Sequence, residues 1–427
     1  MATGIPNRDN PKRKKIPVTL TYDGKEPEES VLQREGAVFE KAASVNGGGQ
    51  SALFYGDNLE VLLYLLRHGY QGKVNLIYID PPFATASDFL NRKMERAYSD
   101  ALNGGEYIEF LRKRLILMRE LLADDGSIYL HLDGKMAFAM KMIMDELFGE
   151  NHCRAFITRK KCSTKNYTRN TFGDISDYIM FYSKGADYTW NRPFDPWELD
   201  RMVEEYPYID EKTGRRYKKV PVHAPGVRNG ETGKAWRGKL PPTGKHWQYT
   251  PERLDQLDAA GEIYWSPTGN PRRKVFCEPS KGIPVQNIWL HYRDSVNQAQ
   301  KTTGYPTEKN YDMLKMIICA SSNPGDIVLD CFAGSGTTLG AAFDCGRVWI
   351  GADNSPESIK AILKRFTGGL EFYGDYVRPS SKYVQMSLDM KAGFSFSIFT
   401  TPALICRLQD LCSLHQIDGN APQRPGE

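Results

Sequence analysis

An open, doubly wound α/β fold with a mostly parallel sheet is predicted for this chain by three observations. From Ser51 onward, short apolar strands alternate with amphipathic helical stretches. Residues 74–79, VNLIYI, are apolar enough to be buried on both faces, as strands of parallel sheets are. A glycine-rich stretch, CFAGSGTT from Cys331 to Thr338, lies between a predicted strand and a predicted helix.

In chain order, residues 1–48 combine a basic start, a charged middle from Asp23 to Glu35 and glycines at 47 to 49, and are expected to form a flexible basic arm. Leu53 to Tyr55 then make a short strand, and Gly56-Asp57-Asn58 turns it into a helix carrying Leu59, Leu62, Leu63 and Leu66 on one face. VNLIYI is the next strand. It must stop at Asp80, because Pro81 and Pro82 each lack an N–H and have a fixed φ. A long polar loop from Ala84 to about Glu106 is a candidate substrate loop. Leu111, Leu115, Met118 and Leu122 mark a helix, and Ser127 to Asp133 a strand. A further helix, Lys135 to Phe148, buries Met136, Met140, Ile143 and Leu147, and Asp177 to Tyr182 reads as one more sheet strand. His131 and Asp133 stand at a strand end, where a structural role is expected.

Between Arg154 and Arg169 there are six basic residues and no acid, Arg159, Lys160, Lys161 and Lys165 among them. A solvated face and contact with a nucleic-acid backbone both fit such a run. After Lys184 the apolar periodicity weakens. Lys212 to Lys245 holds ten Lys or Arg and one acid, with Tyr217, Trp236 and Trp247 in or beside it. Basic and aromatic side chains together suit phosphate contact and base stacking, so residues 186–290 are expected to be a nucleic-acid-reading insert. Its candidate contact residues are Arg228, Lys234, Trp236, Arg237 and Lys245. Regular patterning returns at Glu308, with strands at Asp326 to Asp330 and Arg347 to Asp353, and fades after residue 369.

A hydrophobic share of 41% with 25% charged residues is ordinary for a globular protein, and no apolar run reaches the ~20 residues of a membrane span. A cytoplasmic protein with no membrane association is expected. The net charge of +4 confines any nucleic-acid footprint to local clusters. None of the eight cysteines forms a C-x-x-C pair, so reduced thiols and no metal site are expected. None follows a proline either, which excludes the Pro-Cys nucleophile that enzymes methylating carbon 5 of cytosine share.

The chemistry rests on two motifs. Asp80-Pro81-Pro82-Phe83 delivers an acid, a stiff backbone carbonyl and a flat ring at a strand's carboxyl end, where open α/β sheets bind ligands. Asp330-Cys331-Phe332-Ala333-Gly334-Ser335-Gly336-Thr337 allows a ligand close to the backbone, and Asp353, 17 residues beyond Gly336, suits ribose hydroxyls. No Gly-Lys-Ser/Thr follows, so the loop is not a P-loop, and Leu339 stands where a nicotinamide-binding loop has its third glycine.

Together, D-P-P-F and D-x-F-x-G-x-G resemble the catalytic and S-adenosylmethionine-binding motifs of DNA amino-methyltransferases. Their order, with the basic insert between them, resembles the β-class arrangement. The resemblance spans about Ser51 to Leu363 and includes Gly226 to Gly238, Gly244 to Trp247 and Gly304 to Lys309. Those pieces are most similar to modification subunits of type III restriction-modification systems and solitary N6-adenine relatives. Two positions depart from the pattern: Asn310 and Cys331 each stand where the family usually has proline.

The resemblance implies a circularly permuted Rossmann-like methyltransferase sheet with an inserted target recognition domain. Residues 49–185 would carry the DPPF half, 291–369 the cofactor half, and 370–427 an extension of unknown role. It implies methyl transfer from S-adenosylmethionine to the N6 amine of an adenine flipped out of double-stranded DNA. Asp80, Pro81, Pro82 and Phe83 would act on the base. Asp330, Phe332, Gly334, Gly336 and Thr337 would surround the cofactor's methionine part, with Thr307 and Lys309 closing over its carboxylate and Asp353 on the ribose. Asp57 matches a position contacting the adenine ring, and fits a plain helix N-cap equally well. A restriction subunit is a candidate partner and a homodimer a candidate assembly. The alternatives are N4-cytosine methylation, whose enzymes usually carry Ser in place of Asp80, and an inactive DNA-binding protein.

Overall fold

The computed structural model describes residues 18–82, 89–90, 96–98, 104–163, 170–294, 301–306, 308–368, 370–372 and 393–413. Phe83, Lys165, Thr307, residues 1–17 of the arm and most of the expected substrate loop lie outside them. The chain divides into two compact units, one running to Asn191 and resuming at Gln286, the other Arg192–Val285.

The strands of the first unit's main sheet are, in chain order, β1 (Glu40–Val45), β2 (Ser51–Tyr55), β3 (Val74–Ile79), β4 (Leu122–Leu132), β5 (Cys153–Lys160), β6 (Ser176–Ser183), β7 (Ile288–Trp289), β8 (Ile327–Asp330), β9 (Val348–Asp353) and β10 (Phe396–Thr400). They form one sheet in the order β1-β10-β2-β9-β8-β3-β4-β6-β5-β7. From β10 to β4 every neighbouring pair is parallel, whereas β6 runs antiparallel to both β4 and β5. The helices of this unit are α1 (Glu28–Leu32), α2 (Asn58–Leu65), α3 (Gly105–Leu121), α4 (Ala137–Phe148), α5 (Tyr311–Ser321), α6 (Thr337–Asp344), α7 (Pro356–Thr367) and α8 (Ile405–Ser413). The expected doubly wound, mostly parallel sheet is therefore the fold.

The apolar character of β3 follows from its place between β8 and β4. Leu76, Ile77 and Ile79 are fully buried. Leu62, Leu115, Met118 and Met140 of α2, α3 and α4 join Ile77 and Ile79 in one core cluster. Each such side chain contributes about 1.5–3 kcal/mol of burial. Away from that cluster, Trp349 of β9 lies 5.0 Å from the Phe366 ring of α7 and 4.9 Å from Phe396 of β10.

Three expectations are corrected here. The segment 18–48 is not a flexible arm: β1 pairs with β10, and α1 is tied to α3 by the Glu28–Arg119 ion pair. Its charged residues read as an unattached arm because their partners lie far along the chain. Glu109 of α3 accepts a hydrogen bond from Tyr22 at 2.5 Å, and Lys113 pairs with Glu26. The extension after residue 369 supplies β10, which lies inside the sheet between β1 and β2; its pattern FSIFT is too short to stand out. Ile288 and Trp289, expected in the insert, instead pair in parallel with β5.

The second unit, Arg192–Val285, has a four-stranded antiparallel sheet in the order Tyr208–Ile209, Arg216–Pro221, Pro271–Phe276, Ile263–Trp265. Beside it lies the helix Pro251–Ala259, capped by Thr250, whose side chain accepts from Arg253 N–H. Its small core holds Val222, Trp236, Trp247, Leu254, Leu257 and Ile263. Among the described residues, no helix is long and apolar enough to cross a membrane.

Candidate active site

β3 and β8 lie side by side in parallel, with Leu329 opposite Ile77; an acid, Asp80, follows the first and another, Asp330, ends the second. Asp80 and Asp330 thus leave the sheet at the same rim. A cavity there is lined by Asp57, Asn58, Tyr78, Asp80, Pro81, Pro82, Phe110, Lys309, Phe332 and the glycine loop, with Asp353 at its side. Residues drawn from two stretches some 250 positions apart in the sequence therefore share one pocket.

The glycine loop is shaped by its backbone. Gly334 has φ 49° and Gly336 φ 70°, values that favour glycine, and a Cβ on Gly336 would stand 2.8 Å from Ile362 Cγ1. Gly334 N–H donates to Asp353 Oδ2 at 2.9 Å, and Ser355 N–H donates to Asp353 Oδ1 at 2.9 Å. Two turns are thereby fixed on one carboxylate. Thr337 opens α6 and is held by Ser335 Oγ at 2.7 Å. Asp330 is buried, and its carboxyl accepts from Phe332 N–H at 3.0 Å. Burial, with the nearby acids Asp80 and Asp353, raises it to about 7 despite hydrogen bonds from Thr338 and Phe332.

Asp57 caps α2, its Oδ1 accepting from Leu59 N–H at 2.8 Å, and it also meets Arg114 at 3.3 Å. The N-cap is therefore formed, and the capping carboxylate also lines the cavity. Asn58, which the sequence did not single out, lies beside it and donates to Cys331 O at 2.8 Å, tying α2 to the glycine loop. Asn310, where the resembling family has proline, caps α5: its side chain accepts from Met313 N–H at 3.0 Å.

Lys309 does not merely flank the pocket. Its Nζ lies 2.9 Å from Asp80 Oδ2, while Asp80 Oδ1 is buried with no hydrogen-bond partner among the described residues. Behind Oδ1 runs a polar row across four adjacent strands, β3, β4, β6 and β5. Tyr78 Oη is 2.8 Å from His131 Nδ1, and His131 Nε2 is 2.9 Å from Asp177 Oδ2. Arg159 Nε and Nη2 grip Asp177 at 2.8 and 2.5 Å, and Nη2 also meets Asp294 at 2.8 Å. Although burial pushes the Asp177 carboxyl up, His131 and Arg159 hold it far below the usual range. Burial lowers His131, opposed by Asp177.

Two expected nucleic-acid contacts are corrected by these positions. Arg159 is fully buried in the polar row, so it cannot meet a backbone; its neighbours in sequence are basic, but strand alternation turns it inward. Trp236 is 2% exposed and stacks on Trp265 at 5.1 Å, with Nε1–H donating to Asp255 at 2.8 Å, so it is core. Arg237 is exposed but paired with Asp255 and Asp258. Lys160 and Lys161 are half-buried at the end of β5, Lys161 lying 3.1 Å from Asp174. Arg228, Lys234 and Lys245 are exposed, Lys234 beside Glu231. The same unit also presents Lys219 between the rings of Tyr208 and Tyr264, at 3.6 and 3.7 Å.

Residues 74–364 match the sequence profile of the N6/N4 DNA methylase family. The chain is 47% identical over 379 residues to the type II methyltransferase M.EcaI of Enterobacter cloacae, covering 87% of this chain and 83% of that protein. It is 28% identical over 335 residues to the StyLTI Mod subunit, a type III restriction-modification protein of Salmonella typhimurium, covering 69% of this chain and 50% of the subunit. A shorter match, 56% identical over 61 residues, is to the DNA adenine methyltransferase YhdJ of Escherichia coli, covering 14% of this chain and 21% of that protein.

Proposed function

Because the chain belongs to the N6/N4 DNA methylase family, we propose that it methylates the N6 amine of adenine in double-stranded DNA, with S-adenosylmethionine as donor. The single observation that carries the reading is the meeting of Asp80, the Pro81 backbone and the glycine loop in one pocket. An exocyclic amine is a poor nucleophile because its lone pair is delocalised into the ring. The Asp80 carboxylate and the Pro81 carbonyl accept its two hydrogens, which leaves the lone pair free to point at a methyl group. The base has to leave the duplex to reach them. Positioning and local electrostatics then carry the rate.

The pocket suits the donor chemically. Asp330 is a buried acid raised to about 7 by its surroundings, and a ligand's ammonium group beside it would restore its charged form. Gly334 and Gly336 open the backbone to close approach, and Asp353 faces the same cavity. When bound, S-adenosylmethionine supplies the electrophilic sulfonium methyl. Adenine is favoured over N4-cytosine by Asp at position 80 and by the similarity to an adenine methyltransferase. Arg228, Lys234 and Lys245, exposed in the second unit, together with Lys160 and Lys161, contribute phosphate contacts. Similarity to Mod subunits supports a restriction partner.

The test is nucleoside mass spectrometry of DNA from a host expressing the protein. N6-methyladenine is expected in wild type and absent with Asp80→Ala, which keeps its cofactor binding. Methylcytosine without methyladenine overturns the choice of base. DNA binding with neither modification overturns the enzyme reading.

A further inference from the structure

The proposed reaction leaves a proton to be disposed of. Attack by the neutral amine forms the N–CH3 bond, breaks the S–CH3 bond and makes the nitrogen cationic, so one N–H proton has to leave. Asp80, hydrogen-bonded to that nitrogen, is its first acceptor. A protonated Asp80 can no longer pair with Lys309 as in the resting site, where Nζ lies 2.9 Å from Oδ2.

The other oxygen of Asp80 faces a second base. Oδ1 is buried without a hydrogen-bond partner among the described residues, and His131 Nδ1 lies 3.8 Å from it. Leaving a carboxylate oxygen in that state costs free energy unless something else uses it. His131 is itself inaccessible, and the charged and titratable groups around it come from every neighbouring element. They are Tyr78 and Asp80 from β3 and its end, Asp177 from β6, and Lys309 ahead of α5, with Arg159 of β5 behind Asp177. Asp177, gripped by Arg159, faces Nε2 at 2.9 Å and would stabilise a positive ring.

Resting on the proposed function, we propose that His131 takes over the proton that the methylated amine leaves on Asp80 and holds it until the product departs. The protonated carboxyl turns about its Cβ–Cγ bond, so that the oxygen carrying the proton takes the place of Oδ1, and the proton crosses from it to His131 Nδ1, which requires the 3.8 Å gap to close by about 1 Å to charge-assisted hydrogen-bond length. Tyr78, 2.8 Å from Nδ1, then reverses from donor to acceptor, a change its hydroxyl makes by rotation. Burial lowers the ring's own affinity for a proton, but Asp177 at Nε2 opposes that, and the ion pair that Asp80 re-forms with Lys309 favours the proton on the ring. Asp80 becomes anionic again and re-forms its pair with Lys309, which removes the acceptor that held the product amine. His131 acts through Asp80 and is a positioning residue with a proton to store. The row beyond it cannot carry the proton outward, because Arg159 does not deprotonate. The proton therefore leaves only when the pocket opens.

The experiment is a single turnover with enzyme and cofactor premixed and in excess over a duplex oligonucleotide, in weak buffer with a pH indicator. A duplex already methylated at the target corrects for protons exchanged on DNA binding. Methyl transfer is read by quench and mass spectrometry, proton appearance by the dye. In wild type the proton is expected to trail the methyl group by about threefold or more in half-time, as holds where product release is slower than chemistry. In His131→Asn, which keeps an acceptor for Tyr78 but cannot hold a proton, the two half-times are expected to coincide. Coincident traces in wild type, which need no variant to fold, overturn the inference alone, as does a lag that survives in His131→Asn. Absence of methyl transfer in wild type overturns the proposed function and this inference with it.

Discussion

Lys309 Nζ stands 2.9 Å from Asp80 Oδ2, so the acid proposed to accept the amine's hydrogens is already held by a cation in the resting pocket. Asp80 is only about one-fifth exposed, which keeps the pair from being fully screened. Replacing Lys309 by Met should slow single-turnover methylation by about 10- to 100-fold, the scale of one well-placed charge in an active site. Lys309→Arg should recover part of that loss. Quenched-flow kinetics at saturating cofactor measure both, and an unchanged rate in Lys309→Met refutes the role.

Asp330 gives a pH dependence. Its native carboxyl is raised by burial to about 7 from an ordinary value of 3.8, so between those limits the native state binds more protons than the unfolded chain. Stability of the free protein should therefore fall as pH rises from about 4 to 7, by at most about 4 kcal/mol. Urea midpoints of Asp330→Asn should move above wild type at pH 8 and converge with it at pH 4. Conversely, a cationic ligand on this carboxyl should release a proton at pH 6. Calorimetry in buffers of different ionisation enthalpy reads that release, which Asp330→Asn should abolish.

Arg159 and Asp177 form a buried pair, and removing one partner strands the other. Arg159→Met should cost about 3–5 kcal/mol in chemical denaturation. Its effect on the salt dependence of DNA binding should be nil, since the side chain contacts protein alone. Lys245→Ala should do the opposite, leaving stability within about 0.5 kcal/mol.

Trp236 belongs to the core of the second unit, so Trp236→Ala should destabilise that unit by about 3–5 kcal/mol. Limited proteolysis is the readout, with cleavage expected first between residues 192 and 285.

Cys319 is exposed, and its Sγ is 3.5 Å from that of Cys345. That contact, with Arg347 and Lys315 nearby, holds the Cys319 thiol below its ordinary range. Iodoacetamide at pH 7 should therefore modify Cys319 before the buried Cys277, Cys331 and Cys412, as peptide mass spectrometry would show.

What could be read from the sequence was local. Asp80 and the glycine loop announce themselves because prolines and glycines punctuate the chain within a few residues of the groups that line the pocket. The alternating strands and helices likewise carry their own period. Tyr78, His131, Asp177 and Arg159 could not be joined in that way, because their contact depends on the strand order β3-β4-β6-β5, which no local pattern encodes. Arg159 looked like one of a basic run, and only alternation along a paired strand shows that it points inward. Trp236 illustrates the same ambiguity: an aromatic among lysines serves a small core as readily as a base-stacking surface.

The position of β10 governs how this protein comes into being. Ser51 of β2 sits opposite Phe396, and Val45 of β1 is paired with the same residue, so the sheet's interior spans almost 350 residues of sequence. A ribosome must therefore deliver residue 400 before β1 and β2 can be joined, although the strands from β2 to β6 were made long before. During that interval the nascent chain exposes an unpaired strand edge, a recognised route to aggregation. Such long-range closure also makes for slow folding. The methylase should thus lag its own synthesis, and chaperone supply should limit how much active protein a host accumulates.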